Sequence, residues 1–378
     1  MKILFISSAP LEYSSSSNMR NIALLKGLIE NKNQVYTLTP EPQKESALYD
    51  ENFCKLNFEK KYFIPLGTIH SAVTMKKNHK SRIKDKVYEI VKKFKIYDFR
   101  STLAKKEIHI GESFDYIISS SDPKSSHLIA ETLIKRNPNI TKKWIQYWGD
   151  PFATDINKKS FVPNFIVKKE EERLISLADK VIYVSPFTLK QQQKLYQRYK
   201  EKMEFLPIPY QEKIIYKETN NERLRLGYFG EYHSRNRNIL PLYEVIKKQK
   251  DKDLVICGNS DLNLCETENI KIYQRQPIQK VRKMEEESDI LVCVCNSNGT
   301  QIPGKIYHYS ATNKPILVIV DGEYSKEIEK YLKEYNRFYL CQNNMKSISE
   351  IIYKIKNSNK KYEPTKKLEA KNIAKRFI

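Results

Sequence analysis

The chain has 378 residues, a length sufficient for two or three domains with sizeable cores. Its composition, 40% hydrophobic and 11% aromatic, excludes an intrinsically disordered protein. No apolar stretch approaches the ~20 residues of a membrane-spanning helix. The formal net charge of +22 favours anionic partners, and six cysteines without a C-x-x-C pair indicate a reduced, cytoplasmic protein.

The first half of the chain alternates between predicted strands and helices. Residues 2–7 form an apolar run that is too short for a signal peptide, so we expect a buried first strand. A helical pattern over 21–30 and a second apolar run over 34–39 complete a β–α–β unit of the Rossmann type. Later strands are predicted over 115–120, 143–148, 180–184 and 202–206, and later helices over 125–135, 165–177 and 186–199.

Residues 76–106 are the most basic part of this half. Twelve lysines and arginines are opposed there only by Asp85, Glu89 and Asp98. Apolar residues recur at helical spacing through the same range, at Ile83, Val87, Ile90, Val91 and Phe94. A basic amphipathic helix fits an anionic membrane surface, and it also fits an ordinary helix with a solvated basic face. The sequence has no motif typical of nucleic-acid binding, so we expect no nucleic-acid partner.

The second half begins after the Pro207–Pro209 pair and the polar run to Arg223, which together mark a domain boundary. A strand over 224–230 ends at a glycine and opens a second Rossmann-like pattern. Further strands are predicted over 253–258, 270–273, 289–295 and 316–320, and helices over 240–248, 278–287, 326–335, 347–356 and 366–378. The fold class is therefore α/β, with two doubly wound domains whose ligands bind at the carboxyl ends of the strands.

Residues 301–315 are the most informative stretch, because they lie between two apolar strands and hold a Pro-Gly pair where a short helix begins. The start of a helix offers unpaired N–H groups and partial positive charge, which suit a diphosphate. Gly304 removes a side chain that would keep a phosphate away, and Lys305 adds charge. We therefore expect a nucleotide diphosphate at this strand–helix junction.

This segment resembles the PxKxxEYxAxxKPxL segment of retaining GT-B glycosyltransferases, family four in particular, and the order of motifs along the whole chain is similar to that family. The resemblance implies two Rossmann-like domains facing across a cleft. Residues 1–208 would bind the acceptor, residues 222–358 the nucleotide-sugar donor, and residues 359–378 would form a helix that crosses back to the N-terminal domain.

The resemblance also implies an activity. It points to a hexosyltransferase-type enzyme that moves a sugar from a UDP- or GDP-linked donor to a saccharide or lipid-linked acceptor, with retention and without metal or cofactor. Such an enzyme would act in bacterial surface polysaccharide or glycoconjugate synthesis. It would be cytoplasmic or peripheral on the inner face of the plasma membrane, through residues 76–106.

The donor residues implied by the resemblance begin in the loop after the 224–230 strand. Gly230 would allow a close approach of the backbone, and Arg237, with Arg235 as the alternative, would neutralise the diphosphate because guanidinium groups match phosphate oxygens. The two arginines could also act together or with Lys305. Arg275 could stack on the nucleobase or reach the phosphates.

The remaining donor residues lie in and before the 301–315 segment. The family carries a pair of glutamates seven residues apart, and this chain has Thr300 and His308 at the matching positions. His308 can still make one hydrogen bond to a ribose hydroxyl, and Thr300 and Gln301 could bind sugar hydroxyls. Pro303 and Gly304 would open the helix against the diphosphate.

The acceptor residues implied by the resemblance lie in the first half. Ser16 and Asn18 stand where the family has a Gly-Gly loop, and small polar residues there leave room for a ligand. His127 or the group ending in Trp148 and Asp150 would hold the transferring sugar or the acceptor. Asp150 could orient an acceptor hydroxyl or act as a base, although Asp-Pro is also an ordinary turn signal.

Two alternatives remain open at the level of the sequence. The loss of both family glutamates would suit a non-catalytic GT-B-fold subunit that partners an active transferase. A nucleotide-sugar 2-epimerase would need acidic pairs around the sugar, and none is evident in the sequence.

Overall fold

The computed structural model describes residues 1–66, 93–156 and 160–378. These form two compact units, Met1–Gln211 with Ala370–Ile378, and Glu212–Glu369. Each unit is an α/β structure built on one parallel sheet, which confirms the predicted fold class.

The sheet of the first unit has seven strands in the order β3-β2-β1-β4-β5-β6-β7, and every neighbouring pair is parallel. The strands are β1 (Lys2–Ile6), β2 (Gln34–Pro40), β3 (Lys60–Ile64), β4 (Phe114–Ser121), β5 (Thr141–Trp148), β6 (Lys180–Tyr183) and β7 (Met203–Phe205). The described helices are α1 (Ser16–Glu30), α2 (Ser125–Arg136), α3 (Asn164–Leu177) and α4 (Pro186–Leu195), with α10 (Ala370–Phe377) at the end of the chain.

Helices cover both faces of this sheet, and the sequences of its central strands follow from that burial. Ile3, Leu4, Phe5 and Ile6 are all fully buried, because a strand between two helical layers has no polar face. Strand β3 lies in the part of the sequence for which no element was predicted. Buried and exposed residues do not alternate regularly along β3. Four of its five residues are at least partly exposed, as expected of an edge strand.

The sheet of the second unit has six parallel strands in the order β10-β9-β8-β11-β12-β13. This is the order of a dinucleotide-binding fold. The strands are β8 (Leu224–Phe229), β9 (Lys252–Cys257), β10 (Ile270–Tyr273), β11 (Ile290–Val294), β12 (Ile316–Val320) and β13 (Tyr339–Gln342). The helices are α5 (Leu240–Lys248), α6 (Ile278–Glu286), α7 (Gly304–Tyr309), α8 (Ser325–Lys333) and α9 (Met345–Lys356).

The end of the chain belongs to the first unit. Helix α10 packs on α1, where a side chain at Gly27 would overlap the carbonyl of Ala370. Asn31 donates a hydrogen bond from Nδ2 to the carbonyl of Lys371 at 2.9 Å. Phe377 is fully buried, and its ring meets the ring of Tyr147 edge-on with centroids 5.1 Å apart. The last nine residues therefore complete the core of a unit that begins more than 350 residues earlier in the sequence.

Only the end of the basic segment 76–106 falls within the described residues, since 67–92 lie outside them. Its described part contains a short 3₁₀ helix, Phe99–Lys105, which begins at Asp98, whose side chain accepts from the backbone N–H of Arg100. Among residues 1–66, 93–156 and 160–378, no helix has the length and apolar character needed to cross a membrane.

Replacing Phe377 with alanine should destabilise the first unit by about 3 kcal/mol, because a fully buried aromatic ring is lost and the site cannot collapse completely. Both tryptophans of the chain, Trp144 and Trp148, lie in β5 of this unit, so tryptophan fluorescence in urea reports on its unfolding. Phe63→Ala, which truncates a largely exposed ring on β3, is the control and should cost less than about 1 kcal/mol. Equal effects of the two changes would show that α10 contributes nothing to this core.

Candidate functional site

At the carboxyl ends of its strands, the second unit brings together the loops that follow β8, β9 and β11. Gly230 follows β8 and donates its N–H to the carbonyl of Cys257 at 2.9 Å. A side chain at Gly258, after β9, would overlap the carbonyl of Gly230, so the two loops can pack this closely only with glycine at 258. Gly230 itself faces open space, since a Cβ there would meet only the Tyr228 hydroxyl at 3.8 Å. Room for a ligand therefore exists beside Gly230.

Arg237 is held in a fixed position at this edge of the sheet. Its Nε donates to Oδ1 of Asn296 at 2.8 Å, and Asn296 in turn donates from Nδ2 to the carbonyl of Gln301 at 3.0 Å. Asn296 is buried and lies two residues after the end of β11, so it joins the loop after β8 to the loop before α7. The carbonyl of Arg235 accepts from Oγ of Ser297 at 2.9 Å, while the Arg235 side chain is exposed. The structure thus brings both predicted arginines beside the 296–301 loop.

The side chain of Gln301 has no hydrogen-bond partner among the described residues, at either its oxygen or its nitrogen. It is 7% exposed, so water has little access to it. A buried amide without partners costs about 1–3 kcal/mol. Such a cost is expected where a ligand supplies the missing partners, because the amide offers both donors and an acceptor to hydroxyl groups.

Lys305 is committed to a carboxylate within the second unit. Its Nζ lies 3.4 Å from Oε1 of the buried Glu285, whose other oxygen accepts from the Tyr216 hydroxyl at 2.8 Å. Nζ also lies over the ring of Tyr309, 5.3 Å from its centroid. Glu285 therefore neutralises part of the positive charge of Lys305. Arg237, whose hydrogen bonds go to an amide and a carbonyl oxygen, keeps its full charge for an anion.

His308 lies on α7, within the segment 301–315. Burial, with a smaller contribution from the positive charge of Lys305, lowers the pKa of His308 to about 4. The imidazole is therefore neutral at pH 7 and can donate or accept a hydrogen bond without adding charge. Helix α7 has only six residues, so its dipole is small and side chains carry most of the positive charge here.

The other predicted donor residues lie on the same edge of the sheet at different depths. Thr300 is buried in the loop that precedes α7, and Pro303 is the residue just before that helix. Arg275 is exposed after β10, and its backbone N–H donates to Oδ1 of Asn259 at 3.4 Å. Because β10 is two strands away from β8, Arg275 belongs to the periphery of this group.

The first unit has a cavity of about 380 Å³ at the carboxyl ends of its strands. Residues that follow β1, β4 and β5 line it, together with the start of α1 and the 96–100 segment. Its walls combine aromatic rings with charged groups, a mixture that suits the faces and hydroxyls of sugars. The lining includes Tyr13, Asn18, Tyr97, Asp122, Lys124 and Phe152.

Three aspartates and one lysine are clustered beside this cavity. Nζ of Lys124 lies 2.7 Å from Oδ1 of Asp122 and 3.0 Å from Oδ2 of Asp155. Burial and the charges of Asp122 and Asp155 raise the pKa of Asp150 to about 7. Burial also disfavours the Asp122 carboxylate, but Lys124 and Arg20 outweigh it and lower the pKa of Asp122. Asp150 and Asp122 share a hydrogen bond, so Asp150 is the member of the pair that holds a proton near neutral pH.

Arg20 reaches this cluster from α1. It is buried, stacks over the ring of Tyr147 at 4.9 Å, and donates to the carbonyl of Ser121. A side chain at Gly149 would overlap its guanidinium, so the glycine before Asp150 makes room for Arg20. Sequence reasoning missed Arg20, because its place in a helix gave no sign that it would face the ends of β4 and β5.

Two of the predicted acceptor-side residues lie inside the core of the first unit. His127 is fully buried, its Nδ1 is 2.7 Å from Oγ of Ser119, and burial lowers its pKa to about 3. Trp148 is fully buried against it, with ring centroids 4.4 Å apart and the indole N–H bonded to Gln146. Direct contact of either side chain with an acceptor at the surface of this unit does not fit these positions. Their roles with a sugar or an acceptor stay predictions, and the sequence could not show that both side chains are buried, because the end of a strand marks an edge of the sheet but not which side chains reach solvent there.

The two residues of the serine-rich loop also differ from each other in position. Ser16 is exposed on the first turn of α1, whose N-cap is Ser15, and it does not line the cavity. Asn18 lines the cavity, but its Nδ2 donates to the carbonyls of Pro10 at 2.7 Å and Tyr13 at 2.8 Å. Asn18 therefore shapes the loop above the cavity.

The carboxyl group of Asp150 should make the stability of the first unit depend on pH. Because its folded pKa is raised, the protonated form adds stability that is present below the unfolded pKa near 4 and is lost as pH rises through about 7. Asp150→Asn mimics the protonated acid, so its stability relative to wild type should grow between pH 5 and pH 8, by on the order of 2 kcal/mol. Urea titrations followed by tryptophan fluorescence measure this difference.

The control is Glu41→Gln, which neutralises an exposed carboxylate of the same unit and should leave the difference from wild type constant over that range. A pH-independent difference for Asp150→Asn would mean that Asp150 is already ionised at pH 5.

Comparison with known proteins shows similarity in structure alone. No protein-family model matches the sequence, and no curated protein matches it. The catalytic domain of starch synthase IV from Arabidopsis thaliana, bound to ADP and acarbose, superposes with a TM-score of 0.60 at 8% identity and covers 99% of this chain and 94% of its own.

Two further solved structures match over the full length. Alr3699/HepE of Anabaena in complex with UDP and glucose has a TM-score of 0.56 at 12% identity, covering 100% of this chain and 95% of its own. The lipopolysaccharide outer core galactosyltransferase WaaB in its apo form has a TM-score of 0.54 at 14% identity, covering 100% and 98%. The chain has the GT-B fold.

A UDP-N-acetylglucosamine 2-epimerase is similar as well, with a TM-score of 0.51 at 10% identity, covering 100% of this chain and 93% of its own. Transferases and an epimerase thus share this fold with the chain. Similarity at such low identity establishes the fold, and the reaction has to be argued from the site.

Proposed function

We propose that the protein is a glycosyltransferase that moves a hexose from a UDP- or GDP-linked donor to a saccharide or lipid-linked acceptor. The second unit binds the nucleotide sugar and the first unit binds the acceptor. The GT-B fold and the bound nucleotides of HepE and starch synthase IV support a nucleotide-sugar donor.

The observation that carries the proposal is the chain of contacts Arg237–Asn296–Gln301. It places a fixed guanidinium and a buried amide without partners on neighbouring loops at the carboxyl ends of β8 and β11. A nucleotide sugar has a diphosphate for the first group and sugar hydroxyls for the second. Open space beside Gly230 leaves room for the link between them.

The proposed chemistry is stabilisation of the leaving diphosphate. Arg237, with Arg235 and Lys305 as secondary cations, would stabilise the charge that develops as the bond from the sugar to the diphosphate breaks, an effect worth several kcal/mol in a preorganised site. Since arginine and lysine would supply this charge, we propose a reaction without metal. Retention of configuration is proposed on the likeness of residues 301–315 to the family-four segment.

The proposed roles on the sugar and the ribose go to uncharged groups. Gln301 and Thr300 would bind sugar hydroxyls, and neutral His308 would hydrogen-bond the ribose. Arg275, exposed two strands away, would contact the base or the outer part of the nucleotide. This assignment replaces the family's two glutamates with groups that add no negative charge beside the diphosphate.

In the first unit we propose that the cavity beside Asp122 and Lys124 receives the acceptor. Asp150, whose pKa is raised to about 7, would orient or deprotonate the attacking hydroxyl. The role in surface polysaccharide or glycoconjugate synthesis is the expected context for such an acceptor. A bacterial cytoplasm is the location this role requires.

Arg237→Ala should weaken the binding of nucleoside diphosphates by about 10- to 100-fold, since a charge-assisted hydrogen bond contributes about 1.5–3 kcal/mol. Calorimetric titration with UDP, GDP and ADP, without added metal, measures the loss. Arg223→Ala is the matched control, because Arg223 pairs with Asp253 and Glu268 at the opposite, amino end of β8 and β9. Equal affinities in the two variants would contradict the phosphate role of Arg237.

Gln301→Leu should separate sugar recognition from nucleotide binding. The variant removes a buried amide without partners, so the free protein should be as stable as wild type or more stable by about 1 kcal/mol. Affinity for the nucleotide sugar should fall about tenfold, while affinity for the free nucleoside diphosphate stays the same. Parallel losses for both ligands would show that Gln301 acts only through the shape of the loop.

The second candidate is a non-catalytic subunit of the same fold. The absence of both family glutamates favours it, as does the pairing of Lys305 with Glu285, which weakens the positive field. Such a protein would bind the nucleotide sugar without turning it over, so release of free nucleoside diphosphate in the presence of acceptor decides between the two. A 2-epimerase is the less favoured alternative and would interconvert the donor with no acceptor present.

A further inference from the structure

Four large apolar side chains lie exposed on one region of the first unit. Phe94, Phe161 and Phe165 are 67%, 63% and 71% exposed, and Ile166 is 37% exposed. We call these four residues the aromatic patch. Single exposed apolar residues are common on soluble proteins, whereas two exposed phenyl rings in contact, with a third exposed ring four residues along the chain, indicate an interaction surface.

Backbone contacts hold the parts of the aromatic patch together. The N–H of Phe161 donates to the carbonyl of Lys93 at 2.7 Å, and the rings of Phe94 and Phe161 lie 5.5 Å apart. Oγ of Ser160 donates to the carbonyl of Lys93 at 3.1 Å. Phe165 follows Phe161 by four residues, so their Cα atoms are at most about 14 Å apart. Phe94 and Phe161 therefore form an exposed pair of rings, and Phe165 lies close to this pair along the chain.

Basic side chains surround the aromatic patch. Nζ of Lys93 lies 5.3 Å from the ring centroid of Phe161, and Lys95 is exposed one residue after Phe94. Lys168 and Lys169 follow on α3, of which Lys169 is exposed. Three glutamates follow on α3: Glu170 is engaged by the Tyr97 hydroxyl and by Arg173, Glu171 is buried, and Glu172 is exposed. Four lysines against this one exposed carboxylate leave the border of the patch with an excess of positive charge.

We propose that the aromatic patch docks the protein on an anionic lipid surface. Apolar rings enter the boundary between headgroups and acyl chains, while lysines beside them stay among the headgroups and attract anionic lipids. The basic border of the patch and the net charge of +22 of the whole chain favour an anionic lipid surface as the binding partner over an apolar groove on another protein. The inference does not depend on the donor site, although it would bring a lipid-linked acceptor to the proposed enzyme.

Sedimentation with lipid vesicles tests the proposal on the full chain. Wild-type protein should bind vesicles of phosphatidylcholine with 30% phosphatidylglycerol, and binding should weaken about tenfold or more with phosphatidylcholine alone or at high salt. Phe161→Ser with Phe165→Ser should reduce binding to the anionic vesicles at least tenfold, and Lys93→Gln with Lys95→Gln should reduce it about tenfold. Tyr353→Ser is the control, because it removes an equally exposed ring, 70% exposed, from the second unit, and its binding should match wild type.

Three results would overturn the proposal. They are the absence of vesicle binding by wild type, equal binding by the double phenylalanine variant, and a dimer in solution that this variant converts to monomer without any effect on vesicles. The last result would assign the patch to self-association. Arg237→Ala should bind vesicles as wild type does, so loss of nucleotide binding and loss of membrane binding are separable outcomes.

Discussion

The two hydrogen bonds of the Asn296 side chain are the contacts on which the proposed donor site depends. One side chain accepts from Arg237 on the loop after β8 and donates to the carbonyl of Gln301 on the loop before α7. Without this amide, the guanidinium would be free to sample many rotamers at an exposed edge, and each would have to be lost on binding. The parallel sheet brings the loops to one edge, and Asn296 fixes their distance.

The two units differ in the charged groups they place at the ends of their strands. In the first unit, three aspartates around Lys124 crowd so closely that Asp150 retains a proton near neutral pH. In the second unit, Arg237 is bonded to the amide of Asn296, and His308 on α7 is neutral. A diphosphate suits only the second arrangement, and a hydroxyl group that must lose a proton suits the first. The proposed division of labour between the units follows from these charges.

The sequence predicted the architecture well because parallel strands buried on both faces are continuous apolar runs, as in β1, β11 and β12. It predicted less of what lies at the edges, since β3 and β13 are short and only partly buried. The candidate site loops could be proposed from the sequence, because the ends of strands are visible in it. The sequence could not show which side chains there turn inward, and Trp148 and His127, both candidates for binding the sugar or the acceptor, are fully buried. The partners Asn296, Glu285 and Arg20 come from distant parts of the chain, and only the fold reveals them.

The central claim is that the loops around Asn296 bind a nucleotide sugar. Hydrogen–deuterium exchange of the full chain, with and without a saturating UDP- or GDP-sugar, tests it most directly because it locates the ligand without assuming an acceptor. Exchange should become slower in residues 230–238 and 296–309 when the ligand is present, with little change at the amino ends of the same strands. Unchanged exchange in both segments with every nucleotide sugar, or protection confined to the first unit, would contradict it.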